Sequence, residues 1–520
     1  MASSDASAPP PDGGAPGGNS VLQRGNHSSR DAHYVQPKLA KAALATMKLD
    51  ANFNATYTGT VFAGPLYLEN GPAMAGCPAA ASGCLATTRA AGNGLYFVAT
   101  EQNNVYALDE TSGAMVWKAS LGASPGMGDH GPYGVHGTPV IDATSRTLFV
   151  ATAIGVNGPD HHEVHALSVD DGSERMGWPV KLSAATLTVN NVAFQSPPQN
   201  QRGALSLVNG ILYIPFGGYW GDQGNYHGWV VTISIADPTK VSGWVTAGLK
   251  EGIWAAGGLA SDGTSVFAVT GDSRQGVSLM HTGTDCHELV RLTGMGVLNR
   301  TAANIYYPTF WQTEGEQGDL DFGSSSPAYV PLLPNSMPPA IVVAPHKAGR
   351  IIFLNANQLG NGAPGGGGEL AIVDVAGHNQ ESVYTAPTAY RSTAGLYVAV
   401  NASQNAVCPG GGGGKSVVGI LIEAAGATAP QPKTVWCAPE NAGAPNQYNT
   451  FPISTTTDGT TDAIVWFING MQLSAVDGDT GKSLANLDTC TGVQNMTSPI
   501  AVKGHIVVAA NGHLCSWSPP

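Results

Sequence analysis

Histidines are grouped along this 520-residue chain in a way that could build a metal or proton-transfer site. His130 and His136 form one group, His161, His162 and His165 a second, and His227, His281, His287, His346 and His378 follow. Imidazole is the commonest protein metal ligand and changes charge near neutral pH. Loops converging from distant parts of the chain could gather His136, His227 and His346 around copper or another transition metal. Each of these could equally be a surface histidine or one satisfied inside a core. The run "DHHEVH" over 160–165 spaces His161 and His165 four apart, which is ligand-like only on a helix. Read as a strand, it puts Asp160, His162 and Val164 on one face and His161, Glu163 and His165 on the other.

Three further segments concentrate carboxylates or aromatic rings between glycines. "GGYWGDQGNYHGW", 217–229, offers Trp220 or Tyr226 to stack on a flat cofactor or sugar, with Asp222 and His227 as polar partners. The same rings could simply plug a junction between repeats. "EGIWAAGG", 251–258, makes Trp254 either a stacking platform or a docking tryptophan. "EGEQGDLDFGSSSP", 314–327, groups Glu314, Glu316, Asp319 and Asp321, which suits calcium or a general base. It suits a solvated acidic loop as well. "GGGGK", 411–415, lacks the phosphate-loop frame and reads as a flexible loop.

Repeats must position these groups. Eight apolar bursts recur at 95–100, 148–152, 211–216, 266–270, 341–344, 396–400, 463–468 and 505–510. Their spacing is roughly 40 to 75 residues, where a four-stranded propeller blade needs about 40 to 50. Two bursts run into a shared signature, "VYALDETSGAMVW" at 105–117 and "VHALSVDDGSERMGW" at 164–178, and "LSAVDGDTGKSL" at 473–484 is a third fragment. Helical periodicity is weak outside 37–47. The reading is an all-β, eight-bladed β-propeller, with seven blades as the fallback. Too little chain follows the last burst to finish a blade, so N- and C-terminal strands should close the ring together, with 55–68 supplying the missing strand. Three units are expected: a disordered Ala/Ser/Pro/Gly-rich tether over 1–30, a lead-in with a short helix over 31–54, and a single propeller domain over 55–520.

Composition narrows the partners. Glycine accounts for 68 residues and charged residues for only 11%, against a usual quarter or so, while apolar residues reach 42%. With a net charge of −13 and no basic run, nucleic acid is excluded as a partner. No apolar stretch is long enough for a transmembrane helix. Residues 1–20 lack the regions of a signal peptide, yet such tethers often follow a cleaved export or lipoprotein signal. Among seven cysteines, Cys77/Cys84, Cys408/Cys437 and Cys490/Cys515 are candidate pairs, and Cys286 is left over. Disulfides would imply an extracytoplasmic home, periplasmic, secreted or lipid-anchored. Reduced core thiols would not.

The stretch "ALDETSGAMVW", 107–117, resembles the tryptophan-docking repeat of pyrroloquinoline-quinone (PQQ) dehydrogenase-like propellers. "GTPVID" (137–142), "NQRGAL" (200–205), "GDLDFGSSSP" (318–327) and "VVAPHKAGRIIFLNANQLG" (342–360) extend the likeness over most of 55–517. The overall pattern is most similar to uncharacterised bacterial PQQ-like propeller proteins. The resemblance implies PQQ near the ring axis and calcium beside it. Asp272 in "VTGDS" would be a cation ligand where an Asn is usual, and Asp319 or Asp321 the base. Lys347 would contact the quinone, and Arg202, Trp254, Trp220 and Tyr226 would serve as cofactor-binding residues. No two cysteines are adjacent, so the disulfide that covers the quinone in that family has no counterpart.

Three functions follow as expectations. One is an exported quinoprotein-type oxidoreductase acting on an alcohol or aldehyde as its small-molecule substrate. Having no CxxCH haem motif, it would need a separate electron acceptor. A second is a non-catalytic propeller without cofactor, serving as a binding or assembly platform for a protein partner. The third is a histidine-bound copper or other metal enzyme on the same fold. A catalytic ring should gather polar and charged groups at one mouth of its axis; a platform should spread its contacts around the rim.

Overall fold

The structure is a computed structural model that describes residues 18–72, 92–126, 132–219, 222–273, 281, 283–333, 335–363, 365–377, 381–402, 406–411, 415–423, 430–439 and 451–520. Each apolar burst is the second strand of an antiparallel sheet, and eight such sheets form a ring. In blade one the strands are Leu66–Leu68, Leu95–Ala99, Asn104–Asp109 and Met115–Ser120, running from the axis outward. The second strands of blades two to eight are Thr147–Gly155, Ile211–Gly218, Ser265–Val269, Ala340–His346, Gly395–Asn401, Ile464–Asn469 and His505–Ala510.

Leu95–Ala99 is buried at every position. A blade sandwiched between two others has no solvent face, so both sides of its central strands must be apolar. That is why the bursts are continuous and not alternating. Core clusters accordingly lie between blades. Phe97 and Trp117 pack with Leu148 and Val150; Phe149 packs with Leu212 and Ile214. A last cluster joins Trp466 of blade seven, Val508 of blade eight and Val98 of blade one, which closes the ring.

The signature turn welds the blades. Asp109 Oδ1 accepts from the backbone N–H of Thr111 (3.1 Å) and Ser112 (3.0 Å), an Asx turn. Asp477 repeats this with Asp479 and Thr480, both at 3.0 Å. Tryptophans on the outer strands reach the turn of the following blade: Trp117 Nε1 donates to Val169 O and Trp436 Nε1 to Gly478 O, both at 2.9 Å.

Closure comes from residues upstream of those expected. Lys48–Leu49 pairs with His513–Ser518 as the outer strand of blade eight, whereas Leu66–Leu68 opens blade one. The short 3-10 helix Lys41–Thr46 precedes the closing strand. Further upstream, the chain runs through the axial channel and contacts the blades in order. Val21 exchanges backbone hydrogen bonds with Tyr67 of blade one, and Leu22 O accepts from Ile141 of blade two. Arg30 reaches Leu205 O and Ser206 of blade three. Ser28, Ser29 and Asp31 carbonyls accept from Ser261, Tyr329 and Ala389 of blades four, five and six. His33–Val35 pairs in parallel with Ile453–Thr456 of blade seven, and Gln36 reaches Ala501 O and Gly504 N of blade eight. Residues 19–30, expected in the tether, thus belong to an axial plug, and two stretches of the expected lead-in are blade strands. Buried main-chain hydrogen bonds hold the plug; its side-chain composition gives no hint of it.

Cys408–Cys437 and Cys490–Cys515 are disulfides, and Cys286 is a buried free thiol. Cys77, Cys84, His130, Trp220 and His378 lie outside the described residues. Among the described residues no helix is long and apolar enough to cross a membrane.

Candidate functional site

In an antiparallel blade, the link from second to third strand and the link from one blade's outer strand to the next blade's inner strand fall on the same face. Loops of both kinds from blades three to six meet there, joined by the link between blades seven and eight. They enclose a cavity of about 370 Å³, lined by Arg202, Gly218, Tyr219, Asp222, Trp254, Asp272, Asp319, Asp321, Ser324, Lys347, Glu381, Tyr384 and Met496.

Trp254 has its place because three glycines make room for it. A Cβ on Gly252 would sit 2.0 Å from its Cε3, one on Gly271 2.3 Å from Cη2, and one on Gly217 3.0 Å from Cε3. Only glycine allows the main chain this close to the indole. Arg202 Nε donates to Trp254 O at 2.7 Å, fixing the loop that carries the ring.

Lys347 lies on the tight turn between Ala340–His346 and Arg350–Asn355, where Gly349 adopts φ +77°. Its Nζ is 3.0 Å from Asp321 Oδ2, 2.8 Å from Glu381 Oε1 and 3.8 Å from Asp319 Oδ1, and it donates to Asp319 O at 2.8 Å. Burial works against its charge, but Asp321, Glu381 and Asp319 outweigh burial and hold the ammonium above the usual lysine range. Asp321 is buried. Its Oδ2 also accepts from Ser324 Oγ at 3.1 Å, while Oδ1 has no hydrogen-bond partner. Asp272 is equally buried at the start of the loop that follows strand two of blade four, Ser265–Val269.

The aromatic segment 217–229 divides. Tyr219 and Asp222 reach the cavity. Tyr226 does not: it is buried behind the wall under Gly218, and its hydroxyl donates to Asp222 Oδ1. Burial, and then the charge of Asp222, keep that phenol protonated well above its ordinary range. Tyr226 is therefore a support and not a stacking platform.

The candidate histidine ligands are not brought together. His136 Nδ1 is 2.8 Å from Glu101 Oε1, and its ring is stacked on Phe62 at 4.6 Å. His227 Nδ1 bonds Thr246 O at 2.9 Å. His346 is fully buried, with Nδ1 accepting from Ala348 N at 3.1 Å. Burial holds it neutral, far below the usual histidine range, with the charges of His287, Arg350 and Lys347 pushing the same way. His161, Glu163 and His165 do share a strand face, where they pair with one another: His161 Nε2 is 3.1 Å and His165 Nε2 3.6 Å from Glu163. Among the described residues the one tight group of three ligand-type side chains is Cys490, His513 and Cys515. Its two sulfurs form a disulfide, so it has no thiolate to offer a metal.

Of the residues singled out in the sequence, Arg202, Asp222, Trp254, Asp272, Asp319, Asp321 and Lys347 meet in one cavity. Ser324 joins them from the same acidic segment, and Glu381, Tyr384 and Met496 from loops with no motif. Glu101, buried against His136 behind Tyr219, also escaped notice.

No protein-family model and no curated protein sequence matches this chain. Solved structures do. A quinohaemoprotein alcohol dehydrogenase from Pseudomonas putida is similar at TM-score 0.60 and 12% identity, over 96% of this chain and 80% of that one. The quinohaemoprotein alcohol dehydrogenase from Comamonas testosteroni matches at TM-score 0.54 and 13% identity, over 96% and 80%. A europium-containing methanol dehydrogenase matches at TM-score 0.55 and 11% identity, over 94% and 89%. The chain has the quinoprotein-dehydrogenase type of propeller fold.

Proposed function

We propose that the axial cavity is the active site of a quinoprotein-type oxidoreductase that acts outside the cytoplasm on an alcohol or aldehyde. The observation that carries this is the meeting of Trp254, Asp272, Asp321, Lys347 and Arg202, drawn from loops of blades three to five, in one cavity at one mouth of the axis. A platform protein has no need of such convergence. A copper site would need the histidines that the fold keeps apart.

The residues fit a flat quinone beside a hard cation. Trp254, with its ring cleared by glycines, is a stacking surface. Asp272 and the unpartnered Oδ1 of Asp321 are the oxygen donors that calcium prefers. Lys347 and Arg202 are the cations that would face the quinone's anionic oxygens. When bound, the quinone supplies the two-electron acceptor that no side chain can provide. The chain's own part is to orient the substrate and move its proton. With Asp321 committed to the cation through Oδ1 and to Lys347 through Oδ2, the more exposed Asp319 would take the hydroxyl proton. A separate protein or dye would then accept the electrons. Two disulfides support an oxidising compartment.

The test is reconstitution of the purified protein with PQQ and Ca²⁺, followed by dye-linked oxidation of primary alcohols and aldehydes. Dye reduction that disappears in Lys347→Met and Asp321→Asn is expected. Absence of both quinone binding and dye reduction would overturn the reading.

A further inference from the structure

The cavity wall carries five carboxylates (Asp222, Asp272, Asp319, Asp321, Glu381) against two cations (Arg202, Lys347), which leaves −3 when all are ionised. Neither cation is idle. Lys347 is surrounded by Asp321, Glu381 and Asp319, and Arg202 Nε is spent on Trp254 O. Two further cations stand behind the wall: Lys250 Nζ binds the main-chain carbonyl of Asp222 at 2.8 Å, and Arg24 lies under the floor on Phe451, at 4.1 Å from its centroid. The whole chain carries −13, so the surrounding field has the same sign as the wall. A divalent cation at Asp272 and Asp321 would reduce the wall charge only to −1.

The remaining walls are aromatic. Trp254, Tyr219 and Tyr384 line the cavity, and the face of Tyr384 already looks at a cation, Lys347 Nζ, 6.0 Å from its ring centroid. Rings and carboxylates around one space form the environment that holds ammonium groups. Asp321 lines the cavity, and its buried Oδ1 has no hydrogen-bond partner among the described residues, so that carboxylate's charge is only partly met.

We propose that the substrate of this cavity is a small organic cation, an alcohol or aldehyde that also bears an ammonium group. The proposal rests on the cavity being the active site and names the class of molecule it admits. The positive group would lie against the carboxylates and aromatic faces, and the hydroxyl would be left for Asp319.

Matched pairs test it: choline against its uncharged carbon isostere dimethylbutanol, and ethanolamine against propanol. Binding is measured by calorimetry on the purified full chain at low and at physiological salt. We expect the cation of at least one pair to bind at least tenfold tighter than its neutral partner, with the gap narrowing as salt rises. Glu381→Gln, a half-exposed position that should leave the fold intact by circular dichroism, should weaken cation binding several-fold and leave the neutral partner unchanged. Equal or weaker binding of the cation in both pairs, or no cation binding at millimolar concentration, would overturn the proposal. Cation-selective binding without dye-linked turnover would sink the oxidoreductase reading, and with it the cation as substrate, and leave only the cavity's preference for ammonium ligands. Turnover of neutral alcohols with no preference for the cation would do the reverse.

Discussion

Trp117 Nε1 donates to Val169 O at 2.9 Å across the junction of blades one and two, and Gly172 of the same turn lies under the indole. Gly172 has φ +73°, and a Cβ there would come 2.6 Å from Trp117 Cε3. Replacing this glycine meets both backbone strain and a clash with a core ring. We expect Gly172→Ala to destabilise the fold by about 1–3 kcal/mol. Trp117→Phe, which loses the hydrogen bond and part of the packing, should cost about 1–2 kcal/mol. Urea unfolding of the two variants measures both.

Lys347 sits among three carboxylates with little access to water. Lys347→Met would leave Asp321 and Glu381 facing each other with no cation between them, at a cost of about 3 kcal/mol. Because the folded chain holds the ammonium's proton more tightly than the unfolded chain does, this contribution is complete below the ordinary lysine pKa and is lost as pH rises through the raised value. Alkaline unfolding of wild type and variant should therefore converge only at strongly basic pH.

Glu251 follows the same sign at lower pH for a different reason, since burial favours its neutral form. Burial raises its pKa from 4.5 to about 7, against the hydrogen bonds that Thr284, Asp285 N and Gly248 N donate to it. Between those two values the folded chain retains a proton that the unfolded chain has released, so stability falls as pH rises, by about 3 kcal/mol over the interval. Glu251→Gln should flatten that slope in thermal melts recorded from acid to neutral pH.

Arg30 is the most committed side chain of the axial plug. Nε reaches Leu259 O at 2.9 Å, and the guanidinium also holds Leu205 O at 2.8 Å, Ser206 Oγ at 2.7 Å and Arg24 O. Arg30→Ala would strip buried carbonyls of blades three and four of their donor and should destabilise by about 3 kcal/mol or more. Arg30→Lys recovers only part of this, since an ammonium cannot copy the planar fork. Chemical denaturation of both variants decides it.

Reducing the two disulfides opens loops of 29 and 25 residues by sequence separation. Each contributes about 3 kcal/mol by the loop-entropy estimate. Dithiothreitol should lower the melting temperature, while Cys286, buried and with its thiol pushed far up chiefly by burial, should label with a thiol reagent only after unfolding.

What could be read in the sequence follows the range of the forces. The Asx turn at Asp109, the φ-positive glycine and the docking tryptophan lie within a dozen residues, so the repeat announced itself. So did the eight central strands, whose two buried faces demand unbroken apolar runs. The plug was hidden because carbonyls and amides hold it, and every residue type carries those. The closing strand was misplaced by one step for a related reason: Lys48–Leu49 is only two residues long. In the site, Asp272, Lys347 and Trp254 stood in motifs. Glu381, Tyr384 and Met496 were brought in by ring closure across long stretches of chain, and spacing along a sequence carries no record of that. His136, His227 and His346, distant in sequence and expected to converge, do not meet, because each is taken up where it stands, by Glu101, Thr246 O and Ala348 N.

Asn19 to Gln36 is synthesised more than 450 residues ahead of its neighbours Ala501 and Gly504. The plug therefore cannot complete its contacts until blade eight has been made, and until then the channel stays unfilled and the first and last blades unjoined. A chain that lost either Asn19 to Gln36 or blade eight would lack a keystone as well as a seam.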